Sequence, residues 1–66
     1  MKANEIRAEL LRRNITVKSV AEALGIKHPS VSQVIYGVKR TPYIREYIAS
    51  KVNKPVSDLW PEQEQA

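Results

Sequence analysis

The pattern that most constrains this chain is a pair of short amphipathic segments joined by a glycine, over residues 16–36. At 100° per residue, four apolar residues of the first segment share one narrow stripe, which predicts a short helix with a single buried face. These residues are Val17, Val20, Ala21 and Leu24. Gly25 predicts the end of this helix, because a left-handed backbone costs glycine little. Thr16 can cap its start, although Ser19 is not the Glu or Gln of a full capping box.

The second segment predicts a helix with a polar, almost uncharged outer side. Its apolar stripe consists of Val31, Val34 and Ile35. The remaining arc spans about 140°, and this outer arc carries His28, Pro29, Ser32, Gln33 and Tyr36. Side chains that both donate and accept hydrogen bonds suit contact with the edges of nucleic-acid bases. The alternative is an ordinary short polar helix facing solvent.

The net charge of +4 is unevenly distributed along the chain. Residues up to Lys54 include eleven basic and four acidic side chains, a sum of +7, whereas the rest contributes three acidic side chains and no basic one. A basic body attracts a polyanion, because Lys and Arg neutralise phosphates and release counterions. Many small domains carry a similar excess only for solubility, so charge alone leaves both interpretations open.

The positions of the cations favour a phosphate partner. Lys27 lies at the entry to the second segment, while Lys39 and Arg40 follow it and directly precede Thr41 and Pro42. Proline suits a first helical position and threonine suits a cap, so a helix is predicted to begin here. Its free N–H groups and the two cations would converge on one phosphate. A capped helix with exposed basic residues is the alternative.

Length and composition predict one small domain without catalytic chemistry. A chain of 66 residues supports a single core. With no cysteine, one histidine and only two glycines, the sequence lacks the groups of a thiolate metal site, a nucleophilic centre or a phosphate loop. We therefore expect no enzyme activity and no cofactor. Apolar runs are too short for a membrane span or a signal sequence, which predicts a soluble cytoplasmic protein with no membrane partner.

The flanking segments are predicted to form a supporting scaffold. Asn4 is expected to cap a first helix with Ile6 and Leu10 inside and Leu11 partly covered, while its arginines stay in solvent. A later helix begins at Pro42 and is expected to end at Asn53. Its apolar side contains Tyr43, Ile44, Tyr47, Ile48 and Val52. The tyrosines suit core or rim packing, with a phosphate contact as the alternative.

The last helical turn is predicted to begin with Ser57 as its cap. It carries Leu59 and Trp60, and the indole is expected to anchor the turn on the core, with a dimer contact as the alternative. The acidic tail over residues 62–66 lacks large apolar side chains and is expected to fray.

The spacing of small and branched residues resembles the helix-turn-helix of lambda-repressor-like phage regulators. The residues that carry the resemblance are Val20-Ala21, Leu24-Gly25-Ile26, Val31, Val34 and Gly37. It extends from Ile6 to Trp60, and the ending over residues 56–61 is similar to that of the Ner-like members. The resemblance implies an all-α, compact five-helix domain over residues 1–61 with the unit at 17–36. The third helix would read the major groove of DNA.

Matched positions imply which residues contact DNA. The candidates for bases are His28, Pro29, Ser32 and Gln33, and those for phosphates are Lys18, Lys27, Lys39, Arg40 and Thr41. Gln33 is the strongest base candidate, because its amide can pair with adenine through two hydrogen bonds. His28 can meet guanine, meet a phosphate or begin the helix.

Three positions depart from the family pattern. Val17 stands where relatives often have a phosphate-binding Gln, a role that Lys18 or Arg13 would have to take. Leu10 and Ile35 stand where relatives often have an Arg–Glu pair, and an apolar contact there avoids the desolvation cost of a buried ion pair. Pro29 is expected to delay the second helix by one residue, with His28 as its cap.

The resemblance implies a DNA-binding regulator, a repressor by family analogy, of phage or mobile-element origin. The partner is double-stranded DNA, and a homodimer, formed in solution or only on DNA, remains open. The competing interpretation is a protein-binding module, an antirepressor or antitoxin that uses Tyr36, Tyr43 and Trp60 as anchors.

Overall fold

The computed structural model describes residues 1–61, which form five helices and no β-strand. The helices are α1 (Ala3–Arg12), α2 (Val17–Leu24), α3 (His28–Ile35), α4 (Pro42–Val52) and α5 (Val56–Leu59). The principal dimensions are 29 × 22 × 17 Å. The all-α, five-helix prediction is confirmed. The predicted frayed tail over 62–66 lies outside the described residues.

One apolar core joins the five helices. α2 packs most extensively on α3, while α1, α3 and α5 each pack on α4. The largest fully buried side chains are Ile6, Leu10, Val20, Val31, Val34, Ile35, Ile44, Ile48, Val52 and Leu59. Leu10 and Ile35 both belong to this core. This agrees with the apolar contact predicted at these positions in place of an Arg–Glu pair. Leu11, expected to be partly covered, is 59% exposed, because it lies one residue beyond the inward stripe of α1.

The first four helices end with the same left-handed cap. After each helix one residue has positive φ, and two backbone N–H groups bond back to carbonyls of the last turn. For α2, Gly25 N donates to Glu22 O at 3.3 Å and Ile26 N to Ala21 O at 2.9 Å. The left-handed residues are Asn14 (φ 59°), Gly25 (φ 68°), Gly37 (φ 81°) and Asn53 (φ 58°). The predicted ends at Gly25 and Asn53 are confirmed.

The predicted starts of α1 and α5 are wrong. α1 begins at Ala3 rather than after Asn4, because the Glu5 carboxylate accepts the Lys2 N–H at 2.7 Å and stabilises an earlier start. Ser57 lies inside α5 and does not cap it, because Pro55 already occupies the N-cap position.

The start of α2 is better capped than its sequence suggests. Thr16 Oγ1 accepts the Ser19 N–H at 3.0 Å, and Ser19 Oγ accepts the Thr16 N–H at 2.9 Å. The serine hydroxyl therefore completes the capping box, a role usually filled by Glu or Gln. This box fixes the first turn of α2, which carries Lys18.

The last turn packs through Trp60, which is buried as expected. Arg45 lies over its ring, 5.1 Å from the centroid, and is itself only 4% exposed. Burial of an arginine on α4 was not anticipated. Its spacing of three, four and seven residues from Ile48, Ala49 and Val52 places it on the inward stripe. An arginine at a dry aromatic face gains a cation–π contact and packs through its aliphatic stem.

An ionic cluster joins the end of α1 to the end of α4. Arg13 donates to Glu9 Oε1 at 2.7 Å and to Val52 O at 3.4 Å, and Arg12 donates to Glu9 Oε2 at 3.0 Å. The carbonyl end of α4 carries partial negative charge, so a cation here is favourable. Arg13 thus has a structural role, because it joins the end of α1 to the end of α4.

No helix within residues 1–61 has the length and apolar character needed to cross a membrane.

Gly25→Ala should destabilise the fold by about 1 to 2 kcal/mol, the cost of a left-handed backbone for a residue with a Cβ. A Cβ at this position would meet nothing within 4 Å, so no steric clash adds to that cost. Gly25→Asn, the matched variant, should cost less, because asparagine adopts this conformation more readily. Urea unfolding checks the order; an alanine variant as stable as the wild type would contradict it.

Glu9→Gln should weaken the dependence of stability on acid pH. The hydrogen bond from Arg13, together with the charges of Arg12 and Arg13, holds the pKa of Glu9 below its ordinary value. Its contribution is therefore complete above the unfolded-state pKa and is lost as pH falls through the folded-state pKa. Urea midpoints at about pH 7 and about pH 3.5 should differ less in Glu9→Gln than in the wild type.

Glu22→Gln is the matched control, because Glu22 is exposed and forms no ion pair within the described residues. An equal effect of both substitutions would contradict the role given to the cluster of Glu9, Arg12 and Arg13.

Candidate nucleic-acid interface

The outer arc of α3 faces away from the core. Val31, Val34 and Ile35 are buried, which turns the opposite side of the helix outward. His28 and Pro29 are exposed, and Ser32 and Gln33 are half-buried. Tyr36, just after the helix, is 55% exposed. All four predicted base-contacting residues thus lie on one accessible surface without an ionised side chain.

The start of α3 differs from the prediction. Lys27 is the N-cap residue, and His28 and Pro29 are the first two residues of the helix. Pro29 does not delay the helix, because N–H groups of the first turn have no intrahelical partner and its missing N–H removes no helical bond. His28 is therefore not the cap. It is exposed at the first position of the helix, beside the exposed Lys27.

The end of α3 brings a base candidate and a phosphate candidate together. Gly37 takes the left-handed conformation, and the Gln33 carbonyl accepts the N–H of Val38 at 2.8 Å and that of Lys39 at 3.2 Å. The chain thus turns back on the last turns of α3. As a result, the backbone of the exposed Lys39 lies directly beside Gln33.

The segment between α3 and α4 carries further predicted phosphate contacts. Lys39 and Arg40 are exposed, and the half-buried Thr41 occupies the N-cap position of α4, as predicted. The Thr41 hydroxyl makes no capping bond to the helix, so the expected side-chain cap is wrong. Pro42 at the first position fixes φ and begins the helix without one.

Side chains of the first three helices meet around an open groove of about 300 Å³. Leu10, Leu11, Ile15 and Val17 provide its apolar lining. Its polar lining is Arg7, Thr16, Lys18 and His28. The structure thus brings Lys18 and His28, which are ten residues apart in sequence, to one groove beside the start of α3.

Arg7 also bridges α1 and the outer arc. Its Nη1 donates to the hydroxyl of Tyr36 at 3.1 Å, and both side chains are exposed. No local sequence pattern indicates this pair, because the residues are 29 positions apart and neither is buried. Arg7 is exposed, as predicted, but it is also bonded to a residue of the outer arc.

The charged residues next to α3 in sequence are basic. No carboxylate occurs in sequence between Glu22 and Glu46, a stretch that includes all of α3 and the segment before α4. Of the two carboxylates of α1, Glu9 pairs with Arg12 and Arg13, whereas Glu5 accepts the Lys2 N–H and lines a pocket beside the end of α3. Cations thus flank an uncharged surface, with Lys18 and Lys27 near the start of α3 and Lys39 and Arg40 after its end.

In a comparison with protein families, residues 1–63 match the family described as winged helix-turn-helix DNA-binding. Neither the curated proteins nor the solved structures compared with the chain gave a match. A wing is a β-hairpin beside the helices, whereas residues 1–61 of this chain contain no strand, so its candidate contacts lie on helices and their connecting turns. The match spans nearly the whole chain and agrees with the paired α2 and α3: the protein belongs to the winged helix-turn-helix DNA-binding family.

Proposed function

We propose that the protein is a transcriptional repressor that recognises a specific duplex sequence through the outer arc of α3. The observation that carries this proposal is an uncharged, hydrogen-bonding arc turned outward and flanked by cations. Donors and acceptors on such an arc can distinguish base pairs in the major groove, whereas the cations bind any sequence. Occupation of a promoter would then block access of the polymerase.

The dimensions of α3 suit a short recognition site. Eight residues make a helix about 12 Å long, comparable with the width of the major groove. The longest dimension of residues 1–61, 29 Å, is shorter than the ~34 Å between half-sites one turn apart. One copy would therefore read one half-site, and a longer operator would need two copies, paired in solution or on DNA.

We assign base contacts to His28, Pro29, Ser32 and Gln33. The Gln33 amide would pair with adenine, and Pro29 would offer apolar surface to a thymine methyl. Phosphate contacts are assigned to Lys18, Lys27, Lys39, Arg40 and Thr41. The phosphate at the start of α4 would also meet free N–H groups and the positive end of that helix.

A lambda-repressor-like regulator of phage or mobile-element origin is the form of this proposal that the sequence resemblance favours. A short domain without strands in residues 1–61 suits this form. The competing protein-binding module is less well supported, because Trp60, one of its three anchors, is buried in the core. Tyr36 and Tyr43, which are 55% and 53% exposed, remain available to a protein partner.

Gln33→Ala and Lys39→Ala should impair binding differently. Loss of the amide should relax preference at one base position, by ~1 to 3 kcal/mol of discrimination. Loss of the ammonium should weaken binding to all duplexes and flatten the plot of log affinity against log salt by roughly 0.9. Selection of bound duplexes from a random pool, followed by titrations of the selected and scrambled duplexes at several salt concentrations, measures both effects.

Lys51→Ala is the matched control for charge, because Lys51 lies over the Tyr47 ring on α4, outside the assigned contacts. Its salt dependence should match that of the wild type. Equal behaviour of Gln33→Ala and Lys39→Ala would contradict the assigned roles. Binding that is indifferent to salt would instead favour the protein-binding module.

A further inference from the structure

The groove between α1 and the starts of α2 and α3 matches the chemistry of a nucleic-acid strand. Its apolar lining comes from leucine, isoleucine and valine side chains, and its polar lining contains Arg7, Lys18, His28 and Thr16. No carboxylate of residues 1–61 lines it. A sugar–phosphate backbone alternates an apolar sugar face with an anionic phosphate, so it complements both parts of this lining.

We propose that this groove holds the sugar–phosphate backbone of one DNA strand, with Arg7 binding a phosphate and Leu11 contacting a sugar. The inference rests on the proposed function and extends it, because it makes α1 part of the DNA interface rather than only a scaffold. The strand held in the groove is the one that passes the start of the recognition helix.

The position of His28 links the groove to the outer arc. His28 lines the groove and is also the first residue of α3, so the backbone in the groove runs next to the bases that α3 reads. His28 and Ser32 are four residues apart and share the edge of the arc beside the groove. Lys18, in the first turn of α2, then provides a second cation for the same strand.

Arg7 can bind a phosphate while it is bonded to Tyr36. Its hydrogen bond to the Tyr36 hydroxyl, at 3.1 Å, uses one guanidinium nitrogen and connects α1 to the far end of the outer arc. A guanidinium has five N–H donors, so this bond leaves others for a phosphate. Leu11, which is 59% exposed, lines the groove one helical turn further along α1.

Arg12 provides a matched control on the same helix. It is also exposed, but it pairs with Glu9 and does not line the groove. Arg7→Gln and Arg12→Gln each remove one positive charge from α1, so a general electrostatic effect would be the same in both. A specific phosphate contact would affect only the first.

The test is fluorescence anisotropy of a labelled mixed-sequence duplex of 20 base pairs, titrated with each variant at several salt concentrations. Arg7→Gln should reduce the slope of log affinity against log salt concentration by roughly 0.9, and Arg12→Gln should leave this slope unchanged. Arg7→Lys should restore the slope, because it keeps the charge. Tyr36→Phe should also keep the slope, because it removes a hydroxyl and leaves the charge of Arg7 in place. Leu11→Gln should bind about three-fold more weakly with an unchanged slope.

Thermal unfolding of each variant establishes that it is folded. A wild-type slope for Arg7→Gln would overturn the inference, and so would an equal decrease in slope for Arg7→Gln and Arg12→Gln. Neither result would contradict the role of the recognition helix. If the groove binds an acidic protein instead of DNA, Arg7→Gln should show the wild-type slope. A decrease in slope for Tyr36→Phe as large as that for Arg7→Gln would also overturn the inference, since Arg7 would then act only through Tyr36. Failure of the wild type to bind any duplex would overturn the proposed function itself.

Discussion

Burial of Val31, Val34 and Ile35 is the constraint on which the rest of the interface depends. These side chains lie in the one core that all five helices share, so α3 cannot rotate without exposing them. Because a helix fixes the angle between its residues, burying one stripe sets the direction of every other side chain on it. The same burial therefore turns His28, Ser32 and Gln33 outward. A helix of eight residues is too short to be stable alone, which makes this packing the source of its stability.

The turns between helices determine where the cations lie. Each of the first four helices ends with one left-handed residue and two backbone bonds, so the chain leaves each helix in a defined direction. After α3, this cap places Lys39 against the Gln33 carbonyl, and the short segment that follows carries Arg40 into the start of α4. The ionic cluster of Glu9 and Arg13 keeps two further charges away from this surface. The backbone caps therefore place positive charge at the margins of the outer arc, and the Glu9–Arg13 ion pair lies apart from it.

Periodicity predicted the paired helices α2 and α3 and the inward residues of α3, because these depend on local spacing. The ends of α2 and α4 at Gly25 and Asn53 followed from the backbone preferences of glycine and asparagine, whereas the five-helix architecture was implied by the family resemblance. Helix starts were harder to predict. The Glu5 carboxylate stabilises an earlier start of α1 than predicted, and Ser19 completes a capping box that usually contains Glu or Gln. The Arg7–Tyr36 bond and the contact of Arg45 with Trp60 join residues far apart in sequence, so no local pattern could reveal the first and only the spacing along α4 hinted at the second. The proposed place of α1 in the interface therefore depends on contacts of the packed structure and not on a local sequence pattern.

DNA binding by the outward side of α3 can be mapped through the backbone amide shifts of the isotope-labelled protein in nuclear magnetic resonance spectra during titration with its selected duplex. The largest changes should occur in residues 27–33 and 39–41, with smaller ones in α4 beyond its first turn and in α5. Changes concentrated in α4 and α5, or none at saturating duplex, would contradict the claim that the outward side of α3 binds DNA.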